Sequence, residues 1–251
     1  MSNLLFNLTK KDKAVYIGLE STGFNCSFDY EKFVDFNDDI FNNNYNIWYI
    51  DNKMKDENLI FDIIDLNPKL IILGDIKISY EIFKELMLYA KIKNVQLLGP
   101  YSDGLYQHSD YIGTINPNMF KNNTGHSIIS SNRYLPYMIE KELSWYNIGL
   151  SYCITLGRGE NLCTTYKNSL QELINLKGCS SIILHLDLNN FIDFDIAEYI
   201  KENAMKHIVV LITGRNKFSH RSYNFVKKFR ENNIDICLDI TEVVNLIKKT
   251  I

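Results

Sequence analysis

No apolar run in this 251-residue chain approaches the roughly 20 residues that a membrane-spanning helix requires. Its opening stretch, MSNLLFNLTKKDK, lacks the layout of a secretory signal. Neither sign of charge dominates: 27 Lys and Arg face 30 Asp and Glu, a net charge of −3. That balance gives no global attraction to nucleic acid or to an anionic membrane, and neither is expected as a partner. The basic runs at Lys10, Lys11 and Lys13 and at Lys227, Lys228 and Arg230 are short and interleaved with apolar residues. They read as solvated faces or as a local anion contact. Cysteine is sparse. The five residues at 26, 153, 163, 179 and 237 are odd in number and match no zinc spacing, so reduced thiols in a cytoplasmic protein are expected, with no metal held by the chain. There is no H-E-x-x-H, C-x-x-C, G-x-S-x-G or P-loop pattern. The G-x-G-x-x-G fingerprint is also missing, which leaves Rossmann-type NAD binding unsupported.

What is present is a rhythm. With 46% hydrophobic and 23% charged residues the chain has ample core-forming material for one large or two small domains. From Gly125 onward, five short apolar runs each lead through a polar turn into a helix-like segment: HSIISS (126–131), SYCITL (151–156), SIILHLD (181–187), HIVVLIT (207–213) and IDICLD (234–239). Parallel strands need crossovers, usually helical, so this pattern predicts a doubly wound parallel sheet covered on both faces. The first hundred residues repeat the theme with strands at 14–18, 46–50, 69–74 and 95–99. Helices are expected near 27–34, 56–65 and 79–92, where Ile82, Leu86 and Tyr89 share one side. This predicts a smaller, four-strand doubly wound unit over residues 1–100, a linker over 101–125 that is rich in turn residues, and the larger domain over 126–251. The tract NDDIFNNNYN (37–46) reads as a polar loop.

Sheets of this kind bind ligands at the carboxyl ends of their strands, so the candidate site can be read from those positions. Asp187 ends an apolar strand and is either a site residue or the N-cap of a helix beginning near 194. Asn189 and Asn190 look like turn residues. In the turn 157–160, Gly157 and Gly159 allow backbone to approach a ligand, with Arg158 beside them, or simply make a tight turn. Ser21, Thr22 and Gly23 offer backbone amides ahead of a helix start, again either a nucleotide contact or a plain turn. His220 is flanked by Arg215, Lys217 and Arg221, which suit a phosphate or form an ordinary basic turn. His185, inside an apolar strand, is expected to be a satisfied core residue, and the aromatics read as core and rim.

Taken in order, these segments resemble the alpha subunit of succinyl-CoA synthetase and related NDP-forming acyl-CoA ligases. The likeness is carried by Thr22, Gly23 and Phe28, by Gly99, Pro100 and Gly104, by Ser130 in ISSNRY (129–134), and by the strands and helix of 150–160 and 189–210. The resemblance implies an α/β fold: an N-terminal Rossmann-like domain of the CoA-binding type, shortened here, followed by a flavodoxin-like ligase-type domain. It implies coenzyme A contacts at Ser21, Thr22, Gly23 and Asn25. A phosphate or ligand site falls at Ser130, Ser131, Asn132, Arg133, Gly157, Arg158, Arg215 and Arg221. His220 takes the place of the phosphorylated histidine and Asp187 that of its orienting carboxylate. ATP or ADP would arrive through an ATP-grasp beta-type partner chain, or the protein would form a homo-oligomer.

The sequence departs from that pattern where the chemistry is most demanding. Ser219 and Arg221 flank His220 in place of Gly and Ala. Asn132 and Arg133 replace the Ser-Gly that caps a phosphate-binding helix, Tyr101 and Ser102 replace residues of the linker motif, and Cys26 replaces a glycine. Small residues let backbone approach phosphate closely. Their joint loss points to a diverged protein that binds coenzyme A, a nucleotide or phosphate, or serves as a partner subunit, without efficient phosphohistidine chemistry. The alternative is an active acid-thiol ligase using His220.

Overall fold

Runs of β-branched and leucine residues build two parallel sheets with the same strand order. The computed structural model describes residues 8–18, 23–36, 38–51, 57–108, 110–120, 124–159, 161–189, 195–214 and 220–250. They divide into two compact units, Met1–Asn116 with Leu156–Thr164, and Pro117–Thr155 with Thr165–Ile251.

The first unit contains β1 (Lys13–Gly18), β2 (Asn25–Cys26), β3 (Asp29–Phe33), α1 (Asp38–Phe41), β4 (Ile47–Asp51), α2 (Leu59–Asp65), β5 (Leu70–Leu73), α3 (Tyr80–Lys93), β6 (Gln96–Leu98), β7 (Gly104–Gln107) and β8 (Asp110–Gly113). Its parallel sheet has the order β3-β1-β4-β5-β6. All four residues of β5 and five of the six in β1 are buried. Such unbroken apolar strands suit a parallel sheet covered on both faces. Ile60, Ile63 and Ile64 of α2 and Leu86 and Ala90 of α3 pack into that core, with Ile82 and Tyr89 alongside. α3 stops where Asn94 adopts the left-handed conformation at φ 58°, a C-terminal role that asparagine tolerates.

Two sequence expectations change here. Within 27–34 the chain forms the edge strand Asp29–Phe33 rather than a helix, so the sheet has five strands and not four. In Asp29-Tyr30-Glu31-Lys32-Phe33, polar and aromatic residues mix without a buried helical stripe, and pairing to β1 satisfies the backbone instead. The stretch 101–125, read as a linker, carries β7 and β8 as an antiparallel hairpin, with β2 pairing along β8 and a 3-10 turn at Pro117–Met119.

The second unit contains β9 (His126–Ser130), α4 (Tyr134–Ser144), β10 (Leu150–Thr155), α5 (Tyr166–Asn175), β11 (Ser181–Asp187), α6 (Ile196–Asn203), β12 (His207–Thr213), α7 (His220–Glu231), β13 (Asp235–Cys237) and α8 (Ile240–Lys248). Its strands run in the order β13-β12-β11-β9-β10, and every pairing among them is parallel. Numbered within each unit, both sheets read 2-1-3-4-5, the flavodoxin-like order of doubly wound proteins. The fold class expected from the sequence therefore holds. Local signals place the helices. Thr165 and Asn168 form a reciprocal capping box at the start of α5, and Asp239 accepts from Glu242 N at 2.9 Å while Glu242 Oε2 accepts from Leu238 N at 2.6 Å ahead of α8.

Candidate functional site

In a 2-1-3-4-5 sheet the crevice opens between strands one and three, where successive connections turn to opposite sides. In the second unit those strands are β9 and β11, and their carboxyl ends bring several of the expected residues together. Ser130 ends β9. Its Oγ lies 2.8 Å from His185 Nδ1 on β11, accepts from Asn132 N at 3.0 Å and donates to Asn132 O at 2.9 Å. His185 Nε2 lies 2.8 Å from Thr213 Oγ1, at the end of β12. The Nδ1–H tautomer satisfies every one of these contacts. Ser130 then accepts twice and donates once, and Thr213 donates to Nε2.

His185 is thus a satisfied core residue, as its apolar strand suggested. Burial pushes its pKa down to about 4, opposed by the nearby Asp187 carboxylate, so the ring is neutral at physiological pH. The Ser130–His185 contact is structural rather than nucleophilic: Ser130 is fully buried, and its hydroxyl proton is already committed. Asp187 Oδ1 accepts from both Asn189 N, at 3.0 Å, and Asn189 Nδ2, at 2.9 Å. It closes its own turn rather than capping the following helix, because α6 begins at Ile196 with Asp195 in the N-cap position. That removes the N-cap reading of Asp187. Sequence reasoning missed Tyr166, the buried first residue of α5, whose phenol burial pushes up to about 12. The Ser131 hydroxyl lowers that value and the Asp187 charge raises it. The Thr-x-x-Asn capping box that spans it, Thr165 to Asn168, was the available signal.

The start of α4 decides what this edge can hold. A helix N-terminus binds anions through unpaired amides and a partial positive charge of about half an electron. Here Asn132 N is bonded to Ser130 Oγ, Tyr134 N is bonded to Asn132 Oδ1 at 2.8 Å, and Pro136 has no N–H. Three of the five positions from 132 to 136 therefore offer no amide to a phosphate. Arg133, half-buried at the N-cap, lies 5.9 Å over the Tyr134 ring.

In the first unit the corresponding crevice lies between β1 and β4, whose ends pair Gly18 with Asp51. Aromatic rings gather at this edge. Phe24 lies 4.3 Å from Tyr16, 5.2 Å from Tyr49 and 5.4 Å from Tyr30, and Lys32 Nζ sits 5.4 Å from the Tyr16 ring. A side chain at Gly18 would lie 2.5 Å from Tyr16 Oη, so that glycine makes room for the ring. Tyr30 is 42% exposed, and Phe24 is partly exposed. Gly23 has φ +68° and nothing within 4 Å of an added Cβ, and Asn25 Nδ2 donates to its carbonyl at 2.7 Å. Burial pushes the thiol of the nearby Cys26 up to about 12. These rings were read as core and rim, and the misassignment of β3 hid the shared placement of Tyr30 and Lys32.

Gly157 belongs to the first unit, where an added Cβ would stand 1.8 Å from Pro100 O, so packing alone requires glycine there. Gly159 and Arg158 are exposed. Ser21, Thr22 and Arg215 lie outside the described residues. His220 opens α7, and its side chain and that of Arg221 are likewise outside them. Among the described residues no three His, Cys, Asp or Glu side chains are placed to hold a metal, and no helix is long and apolar enough to cross a membrane.

No family description and no curated protein matches the chain. Solved structures do. It is similar to the dinucleotide-forming acetyl-coenzyme A synthetase 1 of Ca. Korarchaeum cryptofilum, solved with phosphate and ADP, with TM-score 0.74 and 15% identity over 99% of this chain and 62% of that one. It is also similar to ATP citrate lyases: that of Methanosaeta concilii, with (3S)-citryl-CoA, at TM-score 0.76 and 9% identity, and that of Methanothrix soehngenii, with citrate and coenzyme A, at 0.74 and 10%. Both alignments cover 99% of this chain and 51% of the lyase. The chain thus has the α/β fold of these CoA-handling enzymes and spans between half and about three-fifths of their length.

Proposed function

We propose that this chain is a diverged relative of the acyl-CoA ligases, of the succinyl-CoA synthetase alpha type. In this reading the first unit binds coenzyme A or a related nucleotide, and the second lacks efficient phosphohistidine chemistry. The observation that carries the proposal is the start of α4. In its first turn the Tyr134 amide is taken by the Asn132 side chain and another is removed by Pro136, and the Asn132 amide just ahead of the helix is taken by Ser130. A phosphoryl group carried on an imidazole draws its stabilisation from such amides, and each one lost removes a charge-assisted hydrogen bond, a stronger kind than one between neutral groups.

The first unit fits the ligand chemically. Partly exposed rings at Tyr30 and Phe24 suit an adenine face, Lys32 supplies a cation for phosphate, and Gly23 leaves backbone in open space. Base–aromatic stacking contributes roughly 1–3 kcal/mol. Ser21, Thr22 and Asn25 belong to the same proposed contact surface.

A thermal-shift series with coenzyme A, acetyl-CoA, ADP, ATP and phosphate tests the binding half. A ligand at a hundred times its dissociation constant stabilises the folded state by about 2.7 kcal/mol. Coenzyme A is expected to raise the melting temperature, and Tyr30→Ala with Lys32→Ala to abolish that rise. No shift with any of the compounds refutes the binding half and leaves the partner-subunit role. The catalytic half is tested by incubation with labelled ATP and an ATP-grasp partner chain. Acid-labile phosphate that disappears in His220→Asn establishes the active ligase instead.

A further inference from the structure

Helix α4 has two unlike faces. Leu135, Pro136, Ile139, Glu140 and Leu143 are buried, and Glu140 Oε2 accepts from Leu150 N at 2.6 Å, fixing the helix to β10. The other face exposes Tyr134, Met138, Lys141, Glu142 and, just past the helix end, Trp145. Steps of four, three, one and three residues put all five on one stripe. Trp145 is 75% exposed, Tyr134 62%, Met138 53% and the adjoining Tyr146 50%. Counting aromatic side chains at about 150–250 Å² each, the patch offers on the order of 500 Å². That is the size at which an apolar patch on a monomer is often functional.

The two charges at the centre of the stripe say what covers it. Lys141 and Glu142 are adjacent and oppositely charged, and among the described residues neither forms an ion pair. We propose that this face is a homodimer interface in which a second copy lays its own α4 antiparallel across it about a two-fold axis. The register that sets Lys141 against the partner's Glu142 also sets Met138 against the partner's Trp145, and symmetry repeats both contacts. Charge meets opposite charge and thioether meets indole in a single register, as a self-complementary isologous surface requires. A parallel register sets Lys141 opposite the partner's Lys141 instead. The two patches together bury roughly 1,000 Å², the lower limit for a specific interface, so the dimer is reversible rather than obligate. The proposal uses only the second unit and does not depend on what the first unit binds.

Sedimentation velocity on the full chain, from low to high micromolar concentration, tests it. The wild type is expected to dimerise. Lys141→Glu alone sets like charges together and is expected to weaken the dimer at least about tenfold. Adding Glu142→Lys to it restores the opposite pairing and is expected to return the wild-type dissociation constant. Trp145→Ser, a change on the exposed face that spares the core, is expected to weaken dimerisation by about tenfold or more. A wild type that stays monomeric throughout overturns the proposal. So does a dimer indifferent to Lys141→Glu and Trp145→Ser, or one that the double charge swap does not rescue.

Discussion

Acidification should loosen the second unit through one buried ring. His185 is 2% exposed, bonded at Nδ1 to Ser130 and at Nε2 to Thr213, and burial holds its pKa at about 4 against about 6.5 for an unhindered histidine. Between those values the unfolded chain binds a proton that the folded protein refuses. Stability is therefore full above pH 6.5 and declines as the pH falls toward 4, where the native ring is finally protonated as well. The difference amounts to about 2 kcal/mol between pH 8 and pH 5, and to about 3 kcal/mol in the acid limit. His185→Gln keeps a donor and an acceptor in the site but cannot titrate. Because the chain has two compact units, a single global melt is the wrong readout. Hydrogen exchange of the β11 and β12 amides, corrected for intrinsic rates, isolates the second unit. The wild type is expected to lose about 2 kcal/mol more protection than His185→Gln between pH 8 and pH 5. His126, whose pKa burial also lowers, contributes equally to both proteins and cancels. Parallel pH profiles for the two proteins would refute the neutral, buried histidine on which the structural reading of Ser130 rests.

Other expectations follow from the same geometry. Gly157→Ala combines φ +98° with a Cβ 1.8 Å from Pro100 O, whereas Gly159→Ala at φ +104° meets open space. By hydrogen exchange of the first unit's strand amides the first should cost clearly more than the roughly 1–3 kcal/mol of backbone strain that bounds the second. Burial holds the thiols of Cys26, Cys163 and Cys237 at about 12, so a thiol reagent at pH 8 should leave these three unreacted until denaturant is added. Asn132→Ala removes the acceptor for Tyr134 N and should cost about 0.5–2 kcal/mol in stability. Asn132→Gly with Pro136→Ala should return two amides to the start of α4 and produce a phosphate-dependent melting shift larger than any in the wild type.

How far the sequence carried the fold depended on burial. β11 and β12 coincide with the expected runs 181–187 and 207–213 because both faces of these strands are covered and every position but the last, or the two ends, is buried, most of them by apolar side chains. β3 failed for the opposite reason. An edge strand has one partner, its residues are exposed or partly so, and its composition carries neither period clearly. The β7–β8 hairpin was lost in a stretch whose glycines and prolines looked like punctuation, although Gly104 and Gly113 are paired across its ladder. At the site, Asp187 was legible from its strand end, and Ser130 and Ser131 from the family resemblance. The chain from Ser130 through His185 to Thr213 was not, since it joins three strands that only the sheet register brings side by side. Pro136 was visible all along, but it matters only once α4 is known to begin at Tyr134, which makes proline the third helical residue.

The two units share one strand order, yet their crevices have different contents, and that contrast bears on the function proposed for the chain. In a doubly wound sheet the crevice is open by construction, and only side chains close it. At the β9–β11 edge the chain spends its own hydroxyls, amides and imidazole on one another, and a group already bonded cannot also stabilise an incoming charge without losing its first partner. At the β1–β4 edge the contacts are ring against ring, which leave faces and backbone available to a ligand. A protein that kept the binding step while losing phosphoryl transfer would show this asymmetry, whereas one that lost both would have no reason to leave Tyr30 and Gly23 uncovered. Coenzyme A binding that survives Asn132 and Pro136 substitutions but not Tyr30→Ala is therefore the pattern that separates these two histories.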